Sequence, residues 1–208
     1  MPYHHLNLDP TTPPAVRRLI DRLERYSFSD AHTMLRLPVP NYRLNAGCNF
    51  AITQLLTAAI GGISTTLYRR GNRDGERFKG LLTDHYPWTS EPPQSVSKAE
   101  AARVIYEVIR NPLTHDLGLD LHGGSSKVKV KIKRLARIGA RGGPPEKWIE
   151  QLENSLVRPK MSPAVTVRTD ASVLLVEALY WGVRRMVEDM TRDTALMASA
   201  EAFLATKV

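Results

Sequence analysis

Six consecutive residues, Arg110-Asn111-Pro112-Leu113-Thr114-His115, combine side chains that phosphodiester chemistry uses. An arginine fork grips a phosphate through two parallel hydrogen bonds and stabilises the charge that develops on it. An imidazole moves protons near neutral pH. Asn111 can position backbone or phosphate by hydrogen bonds, and Asp116 or Thr114 can orient the imidazole. Pro112 disfavours the helical conformation for Asn111, and Asn followed by Pro is a favoured helix start. The segment therefore predicts a helix that breaks or kinks after Arg110 and restarts at Asn111, with guanidinium and imidazole facing a common point. Spacing alone is not specific. About two Arg-x(4–6)-His matches are expected by chance, and two are present, the other being Arg25 to His32. The competing reading pairs Arg110 with Glu107 on the surface and packs His115 against its neighbours.

Such side chains need a scaffold, and the apolar periodicity predicts a mainly α one. Residues 1–12 read as an exposed arm carrying His4 and His5. A helix begins near Pro13-Pro14 with Val16, Leu19, Ile20 and Leu23 at helical spacing, and a shorter piece follows Asp30, ended by Pro38 and Pro40. A second long helix runs from about Ala46 to Arg69, with Cys48, Ile52, Leu55, Ala59, Ile63 and Leu67 as one stripe. Its adjacent Gly61 and Gly62 cost about 1 kcal/mol each relative to alanine, which predicts close approach of another backbone. Gly71 and the run Asn72 to Gly75 form a turn, and a third helix covers Glu76 to about Asp84. Ser97 and Glu100 have capping-box spacing at the head of a fourth helix. Its apolar face is Ala101, Val104, Ile105, Val108 and Ile109; its opposite stripe is Arg103, Tyr106, Glu107 and Arg110.

Beyond residue 126 the period changes to two. Lys127, Lys129, Lys131 and Lys133 alternate with Val128, Val130 and Ile132, and residues 164–168 alternate again. The two segments are expected to pair as antiparallel strands outside a helical bundle. Pro144-Pro145 starts a short helix between them with Trp148, Ile149 and Leu152. Thr169 or Asp170 caps a last long helix through Leu174, Leu175, Ala178, Leu179, Val183, Met186 and Met190, and a terminal helix runs to about Ala205. The result is a single domain over residues 1–208: arm 1–12, helical bundle 13–120 and 169–208, and a basic strand-and-helix insertion 121–168.

Lys and Arg total 29 against 21 for Asp and Glu, a formal charge of +8, which favours a polyanionic partner, nucleic acid above all. The lysine row and Arg103 are candidates for holding an RNA backbone; lysines on a solvated edge strand are the structural alternative. A single cysteine, Cys48, excludes an internal disulfide and fits a reducing compartment. The N-terminal residues lack the pattern of a signal peptide, and the apolar runs are broken before membrane-spanning length. A cytoplasmic protein is expected, with no metal ion and no cofactor.

The segment Arg110 to His115 resembles the Arg-polar-x-x-x-His signature of the HEPN superfamily, the higher-eukaryote and prokaryote nucleotide-binding helical domains. Gly47 to Ile52, Ile63 to Tyr68 and Arg77-Phe78 also look like parts of a HEPN-type bundle. The likeness covers about residues 44–120 and, loosely, the last long helix; the arm and the Lys-rich insertion lie outside it. It implies an endoribonuclease that needs no metal and cleaves RNA through the substrate's own 2′-hydroxyl. Arg110 and His115 would take the catalytic positions and Asn111 the polar third. It further implies a toxin or an antiphage effector, with an antitoxin or defence protein as possible partner. Members paired with a nucleotidyltransferase antitoxin carry a tyrosine two residues after the histidine; here that residue is Leu117. A homodimer is expected, because each chain's motif offers one histidine and a two-fold axis supplies a second. The alternatives are the same fold as a catalytically silent RNA- or protein-binding module, and an unrelated basic helical DNA-binding protein.

Overall fold

The computed structural model describes residues 3–36, 48–88, 97–115, 129–133, 165–167 and 171–207. The chain is mainly α. The first helix is α1 (Pro14–Leu23), a π-helical segment π1 (Glu24–Phe28) and α2 (Ser29–Arg36), which run on without a break. Pro14 sits in its first turn, where its missing N–H costs nothing. The second is α3 (Asn49–Ile63) continued by π2 (Ser64–Tyr68). It starts just after Cys48, which is half-buried with φ of 55°. These 20 residues, with mean hydropathy 1.4, are long and apolar enough to cross a membrane by length and composition, but half of that stretch is buried inside the fold. Ile52, Leu56, Ile60, Ile63 and Leu67 are all buried, as are Thr53, Thr57 and Ser64, so α3 is covered on more than the single stripe its periodicity suggested. The hydroxyls of Thr53 and Ser64 donate to carbonyls of their own helix, which allows their burial.

Helix α4 (Asp74–His85) begins two residues earlier than expected. The Glu76 carboxylate accepts from the N–H of Asn72 at 3.0 Å and of Arg73 at 3.4 Å, which stabilises that earlier start. After α4, Tyr86 is buried, and its hydroxyl donates to the Ala178 carbonyl at 2.9 Å. Helix α5 (Lys98–Arg103) has the expected cap, with Ser97 Oγ accepting from the Glu100 N–H at 3.2 Å.

The C-terminal half corrects the expected strand pairing. Strand β1 (Lys129–Lys133) and strand β2 (Val165–Val167) do not pair with each other; both flank a third strand, β3 (Ala171–Leu175), in the order β1-β3-β2. The β1–β3 pair is parallel and the β2–β3 pair antiparallel. Ile132 and Val165 both lie opposite Leu174 in the register, and the three form one buried row against the helices. Strand β3 leads directly into helix α7 (Val176–Met190), so Leu174 and Leu175 belong to the sheet and not to the last long helix. Helix α8 (Thr194–Ala205) follows, its N–H groups capped by Asp193.

The N-terminal segment is not a free arm. Leu6 is buried and its N–H donates to Glu24 at 2.8 Å, while the N–H groups of Asn7 and Asp9 donate to Glu188 and Thr191. Arg184 of α7, only 3% exposed, donates to the His4 carbonyl and the Tyr180 hydroxyl. The rings of Tyr3, Tyr180 and Trp181 lie around its guanidinium at 4.8, 5.5 and 5.3 Å. His4 and His5 themselves remain exposed. Gly61 and Gly62 also depart from expectation: nothing lies within 4 Å of a β-carbon built on either. Gly62 instead borders an apolar groove of about 250 Å³ between α1 and α3, lined by Leu19, Leu23, Ala58 and Ile63.

Candidate functional site

Helix α5 widens into a π-helical segment, π3 (Val104–Arg110), and closes with the short α6 (Asn111–His115). The wider turn accommodates Pro112. In an α-helix its ring would strike the carbonyl one turn back, and it has no N–H to donate; a wider turn relieves the clash. The Asn111 N–H accordingly donates to the Tyr106 carbonyl, five residues earlier. Asn111 has φ of −63° and ψ of −50°. The helix thus passes through Asn111 instead of breaking there, and the expected N-cap and restart are absent. Pro112 biases its predecessor away from the helical conformation, but packing overrides that bias: Val108, Ile109 and Leu113 are all buried around the turn.

Continuity changes the geometry of the motif. Positions five apart on an α-helix are separated by about 140° of arc, so Arg110 and His115 of one chain do not share a face by backbone alone. The His115 side chain lies outside the described residues, as do Asp116 and Leu117. The Thr114 hydroxyl donates to the Arg110 carbonyl at 2.8 Å.

Arg110 is half-buried and donates from Nη1 to Asn111 Oδ1 at 2.9 Å. Its guanidinium lies 5.5 Å from the centre of the Tyr106 ring, within cation–π range. The anticipated pair with Glu107 does not form. That carboxylate takes Lys79 Nζ at 2.9 Å on one oxygen and Arg103 Nη1 at 3.1 Å on the other. The hydrogen bond from Lys79, with Arg103 adding to it, holds the Glu107 carboxyl below its ordinary range. Arg103 also grips Glu100 at 2.7 Å, so the charge of this candidate RNA contact is already matched by two carboxylates. Among the described residues Arg110 has no ion pair.

Tyr106, Gly75 and Lys79 complete the neighbourhood. The Tyr106 ring lies over α4 at Gly75, where a β-carbon would come within 2.9 Å of three ring and hydroxyl atoms. Phe78 packs against the same ring at 5.1 Å, and Lys79 Nζ lies 5.7 Å from its centre. Tyr106 was visible one turn before Arg110. Gly75 was read as part of a turn, and nothing local indicated that it makes room for a ring from another helix.

The side chains of the lysine row lie outside the described residues. Lys129, Lys131 and Lys133 lie on β1, an edge strand of the sheet, and Lys127 lies outside the described residues. Helix α3 touches β1 as well as π3 and α6. The chance match behaves as a control: Arg25 is exposed, while His32 is half-buried beside Tyr3 and Tyr180. No group of three or more His, Cys, Asp or Glu residues is placed to hold a metal ion among the described residues. No family model, curated protein or solved structure matches the chain.

Proposed function

We propose that the protein is a HEPN-type endoribonuclease that cleaves single-stranded RNA without a metal ion, with the substrate 2′-hydroxyl as nucleophile. The observation that carries the reading is the state of Arg110: a guanidinium at the end of a π-helical segment, with only neutral partners among the described residues, five residues before His115. In this scheme Arg110 stabilises the phosphorane-like transition state, Asn111 holds the guanidinium and meets the phosphate, and His115 moves the proton. Because Arg110 and His115 lie on different arcs of one helix, the reading requires a two-fold dimer that sets one chain's Arg110 near its partner's motif. A toxin or antiphage role, in the cytoplasm and under an antitoxin or defence partner, belongs to the same reading.

The test uses a labelled single-stranded RNA incubated with and without a chelator. Cleavage should persist with chelator and leave a 2′,3′-cyclic phosphate, and 2′-O-methyl RNA should resist. His115→Ala should lose about 10²–10⁴-fold in rate, and Arg110→Ala a comparable factor. His32→Ala should be silent. Equal cleavage by wild type and His115→Ala would refute the assignment. The separation of the two positions on the helix favours a second reading, a catalytically silent RNA-binding module, which RNA retention without cleavage would identify.

A further inference from the structure

An arginine that meets phosphate must not be neutralised by its own chain. Glu107 is three residues from Arg110 in the same helical segment, and it is the acidic residue nearest to Arg110 in sequence on that segment. The two do not pair, and both Glu107 oxygens have other partners. Lys79, reaching across from α4, takes one Glu107 oxygen at 2.9 Å, and Arg103, one turn earlier, takes the other at 3.1 Å. Arg103 is itself fixed by a second carboxylate, Glu100, through bonds of 2.7 and 2.8 Å, so Glu100, Arg103, Glu107 and Lys79 form one linear chain of ion pairs. Among the described residues the Arg110 guanidinium rests on neutral groups, the Asn111 amide oxygen and the Tyr106 ring.

We infer that Lys79 and Arg103 are positioning residues of this site: by engaging both oxygens of Glu107 they keep that carboxylate off Arg110, while Tyr106, seated on Gly75, holds the guanidinium ready for a phosphate. Lys79 and Arg103 are therefore not themselves the phosphate contacts that their charge suggests. The value of this arrangement to catalysis rests on the ribonuclease reading, but the arrangement itself can be tested without it.

The direct readout is modification of individual arginines by phenylglyoxal, followed by peptide mass spectrometry. A paired carboxylate holds the guanidinium proton and slows the reaction. In wild type, Arg110 should react faster than Arg103. In Lys79→Met/Arg103→Met, Glu107 is released, and Arg110 modification and RNA cleavage should both fall, by up to about fivefold. Adding Glu107→Gln to that pair should restore both, a recovery that a purely structural role of the two cations would not give. Arg18→Met/Arg25→Met, which removes the same charge from the exposed face of the first helix, controls for net charge and should leave Arg110 reactivity unchanged. Tyr106→Leu should cost about two- to fivefold in cleavage, and Tyr106→Phe should retain it. Unchanged Arg110 reactivity in the double variant, or no recovery with Glu107→Gln, would overturn the inference. If wild type cleaves no RNA, the ribonuclease reading falls, and the modification rates still decide whether Glu107 is held off Arg110.

Discussion

Burial lowers the His32 imidazole to about 4, with the Arg36 and Arg184 charges acting in the same direction. Its folded value thus lies below the ordinary value near 6.5, and in the window between them the unfolded chain binds more protons. Stability should be constant with respect to His32 above about pH 6.5 and should fall as pH drops from there toward 4. Thermal midpoints across that window should decline in wild type and decline less in His32→Gln. His85, also lowered by burial, keeps part of the slope. His32 shows what residue types alone conceal. It stands at a catalytic-looking spacing from Arg25, yet its Nδ1 sits 3.5 Å from the Tyr180 hydroxyl and its ring packs on Tyr3. Arg110 was legible as chemistry from its neighbours in sequence. Its freedom from Glu107 was not, because that depends on Lys79, 28 residues from Glu107 on a different helix.

Among the elements, α7 and the turn after α4 depend on each other. The Tyr86 hydroxyl reaches the Ala178 carbonyl by passing over Gly182, where any β-carbon would overlap the tyrosine hydroxyl and ring. Gly182→Ala should therefore destabilise the fold by about 2–3 kcal/mol, combining overpacking with loss of a buried hydrogen bond. Chemical denaturation would measure this. In a Tyr86→Leu background the same alanine should cost much less, and an equal cost in both backgrounds would contradict the contact. Helix periodicity indicated α1, α3, α5 and most of α7 because each carries an apolar set at helical spacing. It misplaced β3, since Ala-Ser-Val-Leu-Leu is a short apolar run continuous with the apolar face of α7, and periodicity cannot separate a buried strand from a buried helical turn. The Asn111-Pro112 step misled for a different reason: a π turn absorbs a proline that an α turn would reject.

For the whole molecule, a charge of +8 and an edge strand carrying Lys129, Lys131 and Lys133 set the expected behaviour toward RNA. Binding of a single-stranded oligonucleotide should weaken steeply with salt, the log–log slope being about −0.7 per phosphate neutralised. Replacing the three lysines by glutamine should lower that slope by up to about 2 if they meet the backbone and leave it unchanged if they only guard the strand edge. The two-fold arrangement required above should appear as a dimer in sedimentation at micromolar concentration; a monomer throughout would remove the composite site.

Residues 3–9 find their seat on Arg184, Glu188 and Thr191, roughly the other end of the chain, with hydrogen bonds spanning 180 to 182 positions. A ribosome releases these partners in order, the first segment long before the last. While the intervening residues are being made, the Tyr3 ring and the Leu6 side chain have no surface of α7 to cover, and closing so long a loop is among the slowest contacts a chain of this length can form. The first helix and α3 can assemble before α7 is made, but the packing around Arg184 cannot, so that packing waits for α7. Proteolytic sensitivity near Leu6 in stalled nascent chains, lost once α7 has emerged, would mark that step.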